Sequence, residues 1–230
     1  MQIRRWLCHG SLALPSTCIS LWSMEREVPC RLPTESFLSP AGPSFLILMV
    51  LMKEGTNSIM TMKRQDLPYG VAITPIEAGS RSPVDAYIRE EWGGPLLVTR
   101  GNPYDSRQLP GFAAWQGERL VGAVLYRLHG ADCEVAVLFS LLENQGIGSA
   151  LLRQVIALAA GQPCQRVWLV TSNDNTHAIR FYQKFGFSLK AVHINSFDEI
   201  RRLKPHLPAR GIDGIPLAHE FEFEWNIAKE

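Results

Sequence analysis

The alternation of apolar and polar positions becomes regular only after about residue 65 of the 230-residue chain. Before that point no apolar period is sustained, and prolines interrupt every candidate helix, at Pro15, Pro29, Pro33, Pro40 and Pro43. We expect residues 1–65 to be a disordered extension, or a stretch translated from a start codon placed too early. A targeting or partner-binding arm is the alternative. Residues 66–230 are expected to form one domain.

The regular region begins with a predicted strand, helix and strand. Residues 71–76 predict the first strand. The pair Ser82-Pro83 is typical of a helix start, and this helix is expected to end near Trp92, before two glycines and a proline. Residues 96–99 predict a short strand. Residues 101–105 predict a turn-rich loop that could move.

Three further strands are predicted to form a meander, over residues 112–116, 119–129 and 134–139, with tight turns between them. The middle strand is apolar on both of its faces. A strand of this kind is covered on both sides, so helices are expected to flank the sheet on both faces.

The remainder of the chain alternates helices with strands. One apolar helix face is formed by Ile147, Leu151, Val155 and Leu158. Residues 166–171 predict a central strand, residues 187–194 another strand, and residues 198–203 some helical turn. Residues 220–225 alternate strictly between Glu and aromatic side chains, which predicts a strand with one solvated face. This order of elements predicts an α/β domain with a mixed sheet.

Composition narrows the classes of function. The formal net charge is +1, so no global field draws the protein to nucleic acid or to a membrane. No apolar run approaches the ~20 residues of a membrane-spanning helix. Five cysteines, without a Cys-x-x-Cys pair, do not indicate a disulfide framework or a zinc site. We expect a cytoplasmic protein with no metal, nucleic-acid or membrane partner.

A glycine-rich loop precedes the helix that starts near Ile147. Gly146 and Gly148 leave room beside the main chain, and the free N–H groups and dipole of a helix N-terminus favour an anion. The amides of residues 145–149 can therefore hold a phosphate. The loop lacks the Lys of a Walker loop and the third glycine of a dinucleotide fingerprint. A connection that needs glycine only for geometry is the alternative.

A second motif occupies residues 175–187, where a short helix is expected to begin at one of three capping residues and to end at Gly186. Tyr182 lies on its apolar face. A buried tyrosine needs a partner for its hydroxyl. If that hydroxyl reaches the cleft beside the glycine loop, it can donate a proton to a leaving group. The alternative is a core aromatic residue.

The second motif, Asn175-x-x-Ala-x-x-Phe-Tyr-x-Lys-x-Gly-Phe187, resembles the second signature of the GNAT superfamily of N-acetyltransferases. The first, Glu143-x-x-Gly-Ile-Gly-x-x-Leu151, resembles its acetyl-coenzyme-A (acetyl-CoA) loop, and one strand separates the two, as in that family. The resemblance implies a three-layer α+β fold with a mixed, centrally splayed sheet. It also implies transfer of an acetyl group from acetyl-CoA, as co-substrate, to a primary amine of a small molecule or peptide, by a monomer or homodimer.

The resemblance implies cofactor-binding residues as well. Acetyl-CoA would lie between two splayed parallel strands, residues 134–139 and 166–171. Its pantetheine would pair with the main chain near Leu138 and Ser140. The pyrophosphate would accept hydrogen bonds from the amides of Gln145, Gly146, Gly148 and Ser149. Asn175 would hydrogen-bond the pantetheine arm, and Arg180 or Lys184 would screen the phosphate charge. Arg180 and Lys184 are equally well explained as solvated side chains.

The implied chemistry is direct attack of a neutral amine on the thioester. Tyr182 would protonate the departing thiolate, and a main-chain N–H near Leu138 would stabilise the oxyanion. A base must also take a proton from the ammonium group. Glu134 is the first candidate, because its strand supplies the base in many relatives. The weaker candidates are His129, Asp132 and His177, while His219 is expected to be a satisfied core histidine.

Glu143 departs from the family pattern, which usually has Arg or Gln at this loop position. A carboxylate near a pyrophosphate is repulsive unless it points away. Two alternative functions therefore stay open. One is a non-catalytic acyl-CoA-binding or regulatory module, and the other is a partner-binding protein that uses residues 213–230 as an interface. The sequence does not name the acceptor.

Overall fold

The computed structural model describes residues 67–227. The expected extension, residues 1–65, lies outside the described residues. The elements follow in the order β1 (Val71–Pro75), α1 (Arg81–Trp92), β2 (Leu96–Thr99), β3 (Asn102–Asp105), β4 (Gly111–Gln116), β5 (Arg119–His129), β6 (Asp132–Ser140), α2 (Ile147–Ala160), β7 (Arg166–Ser172), α3 (Thr176–Phe185), β8 (Ser188–His193), α4 (Ser196–Leu203) and β9 (Glu220–Asn226).

Seven of the strands form one mixed sheet in the order β1-β4-β5-β6-β7-β9-β8. The pair β6–β7 is parallel, and its neighbours in the sheet pair antiparallel. Strands β2 and β3 form a separate antiparallel hairpin. The predicted mixed sheet and the sequence-derived order of its elements are confirmed.

Helices cover both faces of the sheet, as the apolar middle strand predicts. Helices α2 and α3 pack on one face, where Leu151, Val155 and Tyr182 join a large apolar cluster. Helix α1 packs on the other face, with Val84 and Ile88 in a second cluster. Gly122 of β5 permits the close approach of α2, because an added Cβ would lie 3.0 Å from Ile147 Cγ2 and 2.9 Å from a main-chain oxygen.

The expected loop at residues 101–105 is instead a strand, β3, that pairs with β2. Arg100 and Gly101 both adopt left-handed φ angles, 51° and 75°. Two consecutive residues with positive φ reverse the chain in a two-residue hairpin turn. The turn residues therefore join two strands instead of marking an irregular segment.

The expectation of a solvated face on β9 is wrong. Glu220 and Glu222 are buried, with 3% and 4% of their surface exposed. The turn of the β2–β3 hairpin lies over these side chains through Arg100. Helix α4 and residue Leu217 form a third apolar cluster beside them, against Val98 of the hairpin. A face that alternation alone predicts to be solvated is covered by segments distant in sequence.

Candidate active site

The parallel ladder between β6 and β7 is short. It joins Asp132, Cys133 and Glu134 to the segment Arg166–Trp168 and extends no further, although β6 continues to Ser140 and β7 to Ser172. The two strands part beyond Glu134 and Trp168. The sheet therefore contains a gap that widens towards the carboxyl ends of these strands, where an extended ligand can pair with main chain.

The gap is bordered by the main chain of the second half of β6. Leu141, directly after β6, donates its N–H to the carbonyl oxygen of Val121 in β5 at 2.8 Å. Because hydrogen-bonded pairs alternate along an antiparallel ladder, Leu138 and Ser140 direct their N–H and C=O groups away from β5, towards the gap. Their side chains are buried, and Ser140 Oγ donates to Leu142 O at 3.0 Å. The main chain of these two residues, rather than their side chains, therefore borders the gap.

The glycine loop leads from this edge into the N-terminus of α2. Gly146 is the N-cap residue, with a left-handed φ of 76°, and no side chain of the described residues caps the helix. Within residues 67–227, the N–H groups of Ile147, Gly148 and Ser149 have no hydrogen-bond partner. Glu143 and Gln145 are exposed beside them. Free donors at a helix N-terminus can bind an anion, which is the capacity expected from the sequence.

Gly148 is not required by packing of the folded chain. An added Cβ would lie 3.5 Å from Phe181 Cζ, which is ordinary van der Waals contact, and its φ is not left-handed. The positive φ of Gly146 does require a glycine or a strained substitute. The loop geometry therefore explains one glycine and leaves space beside the other.

Asn175 is the residue that caps α3. Its Oδ1 accepts from Ala178 N–H at 3.0 Å, so its Nδ2 group is the part that remains to contact a ligand. The preceding Asn173 holds the chain before β9, since its Nδ2 donates to Pro216 O and its Oδ1 accepts from Ala218 and His219 N–H. Arg180 and Lys184 are exposed, and neither ion pairs within the described region.

The Tyr182 side chain packs against the face of the sheet that α2 and α3 cover. The centroid of its ring lies 5.9 Å from that of Phe187 and 6.0 Å from that of Phe223, in the apolar cluster that includes Leu138. In the described part of the chain its hydroxyl has no hydrogen-bond partner. Burial raises the pKa of Tyr182 above its usual value, so the hydroxyl keeps its proton at neutral pH. It is both a core aromatic and a protonated donor.

Glu134 lies on the opposite face, at the closed end of the gap. It is 2% exposed. Its Oε1 accepts from the Tyr104 hydroxyl at 2.9 Å, and its Oε2 accepts from Arg127 Nε and Nη2 at 3.1 and 2.7 Å. Arg127 also stacks over the Tyr104 ring at 4.5 Å. Burial raises the pKa of Tyr104, so it acts here as a donor.

The other base candidates are less well placed. Asp132 is held by Arg166 at 2.8 Å. His129 and His177 are exposed. His219 is half-buried before β9 rather than in the core, and its Nδ1 accepts from Asn195 N–H at 3.0 Å. The prediction that His219 is hydrogen-bonded is confirmed, but its expected core position is wrong.

The structure therefore gathers the predicted cofactor-binding main chain around one gap. The edge at Leu138 and Ser140 continues into the amides of α2, and Asn175 begins the adjoining helix α3. Tyr182 and Glu134 lie on opposite faces of the sheet at this gap. In residues 67–227, no helix is long and apolar enough to cross a membrane.

Comparison with known proteins decides the family. The sequence profile of the Acetyltransferase (GNAT) family matches residues 79–187. An uncharacterised Bacillus subtilis protein, YdhI, is 40% identical over 138 residues, covering 60% of this chain and 86% of that protein. The chain belongs to the GNAT acetyltransferase family. An uncharacterised N-acetyltransferase of Mycobacterium tuberculosis is 36% identical over 96 residues, covering 37% of this chain and 62% of that protein.

Solved structures confirm the GNAT fold. A GNAT family acetyltransferase from Elizabethkingia anophelis, solved with acetyl-CoA bound, superposes with a TM-score of 0.53 at 19% sequence identity. The match covers 70% of this chain and all of that one. At this level of identity the likeness establishes the architecture, including the mixed sheet flanked by helices.

The sequence does not predict the polar cluster on the face of the sheet opposite α2 and α3. Glu222 accepts from His193 Nε2 at 2.9 Å and Arg166 Nη1 at 3.1 Å, and it pairs with Arg100 at 3.6 Å. Glu220 lies beside it on β9. The available signal is three glutamates at alternate positions of β9, but alternation by itself predicts a solvated face.

Proposed function

We propose that this GNAT protein is an acetyl-CoA-dependent N-acetyltransferase acting on a primary amine of a small molecule or a peptide. The observation that carries the proposal is the gap between β6 and β7, which leads to the N-terminus of α2, where three amides have no partner among the described residues. The proposed compartment is the cytoplasm, since the described cysteines, Cys133 and Cys164, are free thiols.

The residues around the gap fit acetyl-CoA in an extended pose. Main-chain groups of Leu138 and Ser140 would pair with the pantetheine, and Asn175 Nδ2 would contact the same arm. The pyrophosphate would accept hydrogen bonds from amides at the α2 N-terminus, those of Gln145, Gly146, Gly148 and Ser149. Arg180 would lie near the phosphate charge. The Elizabethkingia protein of the same fold was solved with acetyl-CoA bound, which supports this choice of co-substrate.

Different residues would then carry out the separate steps of the reaction. The neutral amine attacks the thioester carbonyl, and a main-chain N–H near Leu138 stabilises the developing oxyanion. Tyr182 donates its proton to the departing thiolate, for which its protonated, buried hydroxyl is suited. A carboxylate on the face of the sheet opposite α2 and α3, here called the acceptor-side face, removes the ammonium proton. The resemblance points to Glu134 for this step, although both of its oxygens already accept hydrogen bonds.

Two measurements test the proposed function. Isothermal calorimetry with acetyl-CoA should detect binding at one site, and thiol release should follow when a panel of lysine, a short peptide with a free N-terminus and an alkyl diamine is added. Binding without thiol release would indicate the non-catalytic acyl-CoA module. Absence of binding would indicate a partner-binding protein.

A further inference from the structure

Four glutamates share the acceptor-side face of the sheet. Glu134 of β6 is paired in register with Trp168 of β7, and Trp168 with Glu224 of β9. Directly paired residues lie on one face, and so do alternate residues of a strand. Glu220 and Glu222 therefore lie on the face that carries Glu134.

Glu220 differs from the other three in its partners. Glu134, Glu222 and Glu224 each form at least one ion pair with an arginine. Among the described residues, Glu220 forms none within 4.0 Å. Its Oε2 accepts a long hydrogen bond, 3.3 Å, from the main-chain N–H of Arg100. A buried carboxylate without an ion pair is costly for folding.

The charge state of Glu220 reflects this environment. Burial raises its pKa above the ordinary glutamate value. The Arg100 N–H, the Ser196 hydroxyl of α4, His193 of β8 and the Arg100 guanidinium all act in the opposite direction but do not cancel the effect of burial. Perturbed carboxylates of this kind concentrate at functional sites, where a raised pKa makes a better proton acceptor.

The position of Glu220 also fits a role in the reaction. It is paired in register with Ser172, at the end of β7 where the gap is wide, whereas Glu134 lies where the gap is closed. Arg100 covers it from the hairpin turn. The Arg100 guanidinium pairs with the neighbouring Glu222 at 3.6 Å and stacks over Trp168 at 5.1 Å. Because this side chain is 42% exposed, a cationic ligand can compete for its place beside the two glutamates.

We propose that Glu220, rather than Glu134, receives the ammonium group of the acceptor and takes its proton. This assignment rests on the proposed function. Glu134, fixed by Tyr104 and Arg127, instead holds the β2–β3 hairpin in place. The acceptor class that follows is an amine that is cationic at neutral pH.

The proton balance is complete with the residues named. The ammonium group gives one proton to Glu220 and becomes a neutral amine. The nitrogen then bonds to the carbonyl carbon, and the C–S bond breaks. Tyr182 protonates the thiolate and recovers the surplus proton of the new amide nitrogen. Glu220 releases its proton to water before the next cycle.

The test compares Glu220→Gln with Glu134→Gln and with Glu224→Gln as the matched control on the same strand face. The pH dependence of kcat/KM is measured by thiol release for the best amine of the panel, on the full chain. Glu220→Gln should lose about 10²-fold at neutral pH and regain activity in alkali, where the amine loses its own proton. Glu134→Gln and Glu224→Gln should keep the acid limb of the wild-type profile.

The opposite outcomes would overturn the assignment. If Glu220→Gln keeps the acid limb, or if Glu134→Gln loses it, Glu220 is not the proton acceptor. A uniform loss at every pH, with a lowered unfolding temperature, would make Glu220 structural. If the wild-type protein binds acetyl-CoA but releases no thiol with any amine, the proposed function itself falls and this assignment with it.

Discussion

Glu134 and Trp168 form the last pair of the parallel ladder between β6 and β7. The Trp168 ring lies beneath two guanidinium groups, 5.1 Å from that of Arg100 and 5.6 Å from that of Arg166, and it is only 7% exposed. The indole and its two cations thus close the narrow end of the gap on the face of the sheet opposite α2 and α3. A ligand in the gap must lie beyond this pair, towards Ser140 and Ser172.

The hydroxyl of Tyr182 should matter for turnover more than for binding. In Tyr182→Phe the ring contacts with Phe187 and Phe223 remain, and only the hydroxyl is lost. We expect kcat to fall by about 10²-fold, because a general acid typically contributes that much or more. The calorimetric Kd for acetyl-CoA should change little.

Tyr126→Phe is the matched control, since Tyr126 is a buried tyrosine of β5 that stacks on Phe112 at 6.0 Å. It should leave kcat unchanged. Equal kcat values for wild type and Tyr182→Phe would remove Tyr182 from the acid role.

Glu143 should weaken binding of the pyrophosphate. It is exposed beside the free N–H groups of α2, where its charge opposes that of a bound phosphate. Glu143→Gln is expected to tighten acetyl-CoA binding several-fold, since two like charges about 4 Å apart at a surface repel by roughly 1 kcal/mol or more. Calorimetry at two salt concentrations measures this, and the gain should shrink at higher ionic strength.

Glu118→Gln provides the comparison, because Glu118 is exposed in the turn between β4 and β5. It should leave acetyl-CoA binding unaltered. If Glu143→Gln behaves in the same way, the Glu143 carboxylate points away from the phosphate.

Gly122 should be required for stability. Its added Cβ would meet Phe139 O at 2.9 Å and Ile147 Cγ2 at 3.0 Å. Gly122→Ala should therefore lower the free energy of unfolding by about 1–3 kcal/mol, the usual cost of overpacking. Denaturant unfolding followed by circular dichroism provides the measurement.

Gly79→Ala is a suitable control, because nothing lies within 4 Å of its added Cβ. Its free energy of unfolding should stay near the wild-type value. A similar value for Gly122→Ala would show that α2 can shift away from β5 without cost.

Replacing the glutamates at the two ends of β9, Glu220 and Glu224, should shift the unfolding temperature at neutral pH in opposite directions. Burial raises the pKa of Glu220, so its ionised form costs stability at neutral pH. Glu220→Gln should therefore raise the unfolding temperature at neutral pH. The gain should vanish as pH falls through the raised pKa and below about 4.3, the unfolded value, where the wild-type carboxyl is protonated in both states.

Glu224 provides the contrast. Burial acts to raise its pKa, but Lys190 and Arg166 outweigh burial and lower it. Its ionised form thus stabilises the fold above the unfolded pKa, and this stabilisation is lost as pH falls through the lowered pKa. Glu224→Gln should lower the unfolding temperature at neutral pH and approach wild type in acid. Calorimetric scans across pH would refute both statements if the two variants shifted in the same direction.

Much of the fold could be predicted from local sequence. The cap at Asn175 and the stop at Gly186 are signals carried by neighbouring residues, and α3 appears where they predict. Helix α1 also forms and ends at Trp92, but it begins at Arg81, so Pro83 is its third residue and not its first. The hairpin strand β3 was missed, because its turn depends on left-handed φ at Arg100 as well as Gly101. Arginine carries no sequence signal for that conformation.

The order of the sheet strands and of the helices, the glycine loop and the helix that carries Tyr182 all follow from local sequence. These depend on backbone preferences and on periods within one element. Which glutamates are buried, and where β6 and β7 part, depends on how the elements pack together. The Glu face of β9 is covered by a hairpin more than a hundred residues earlier, and burial and charge pairing depend on such distant segments rather than on alternation within the strand.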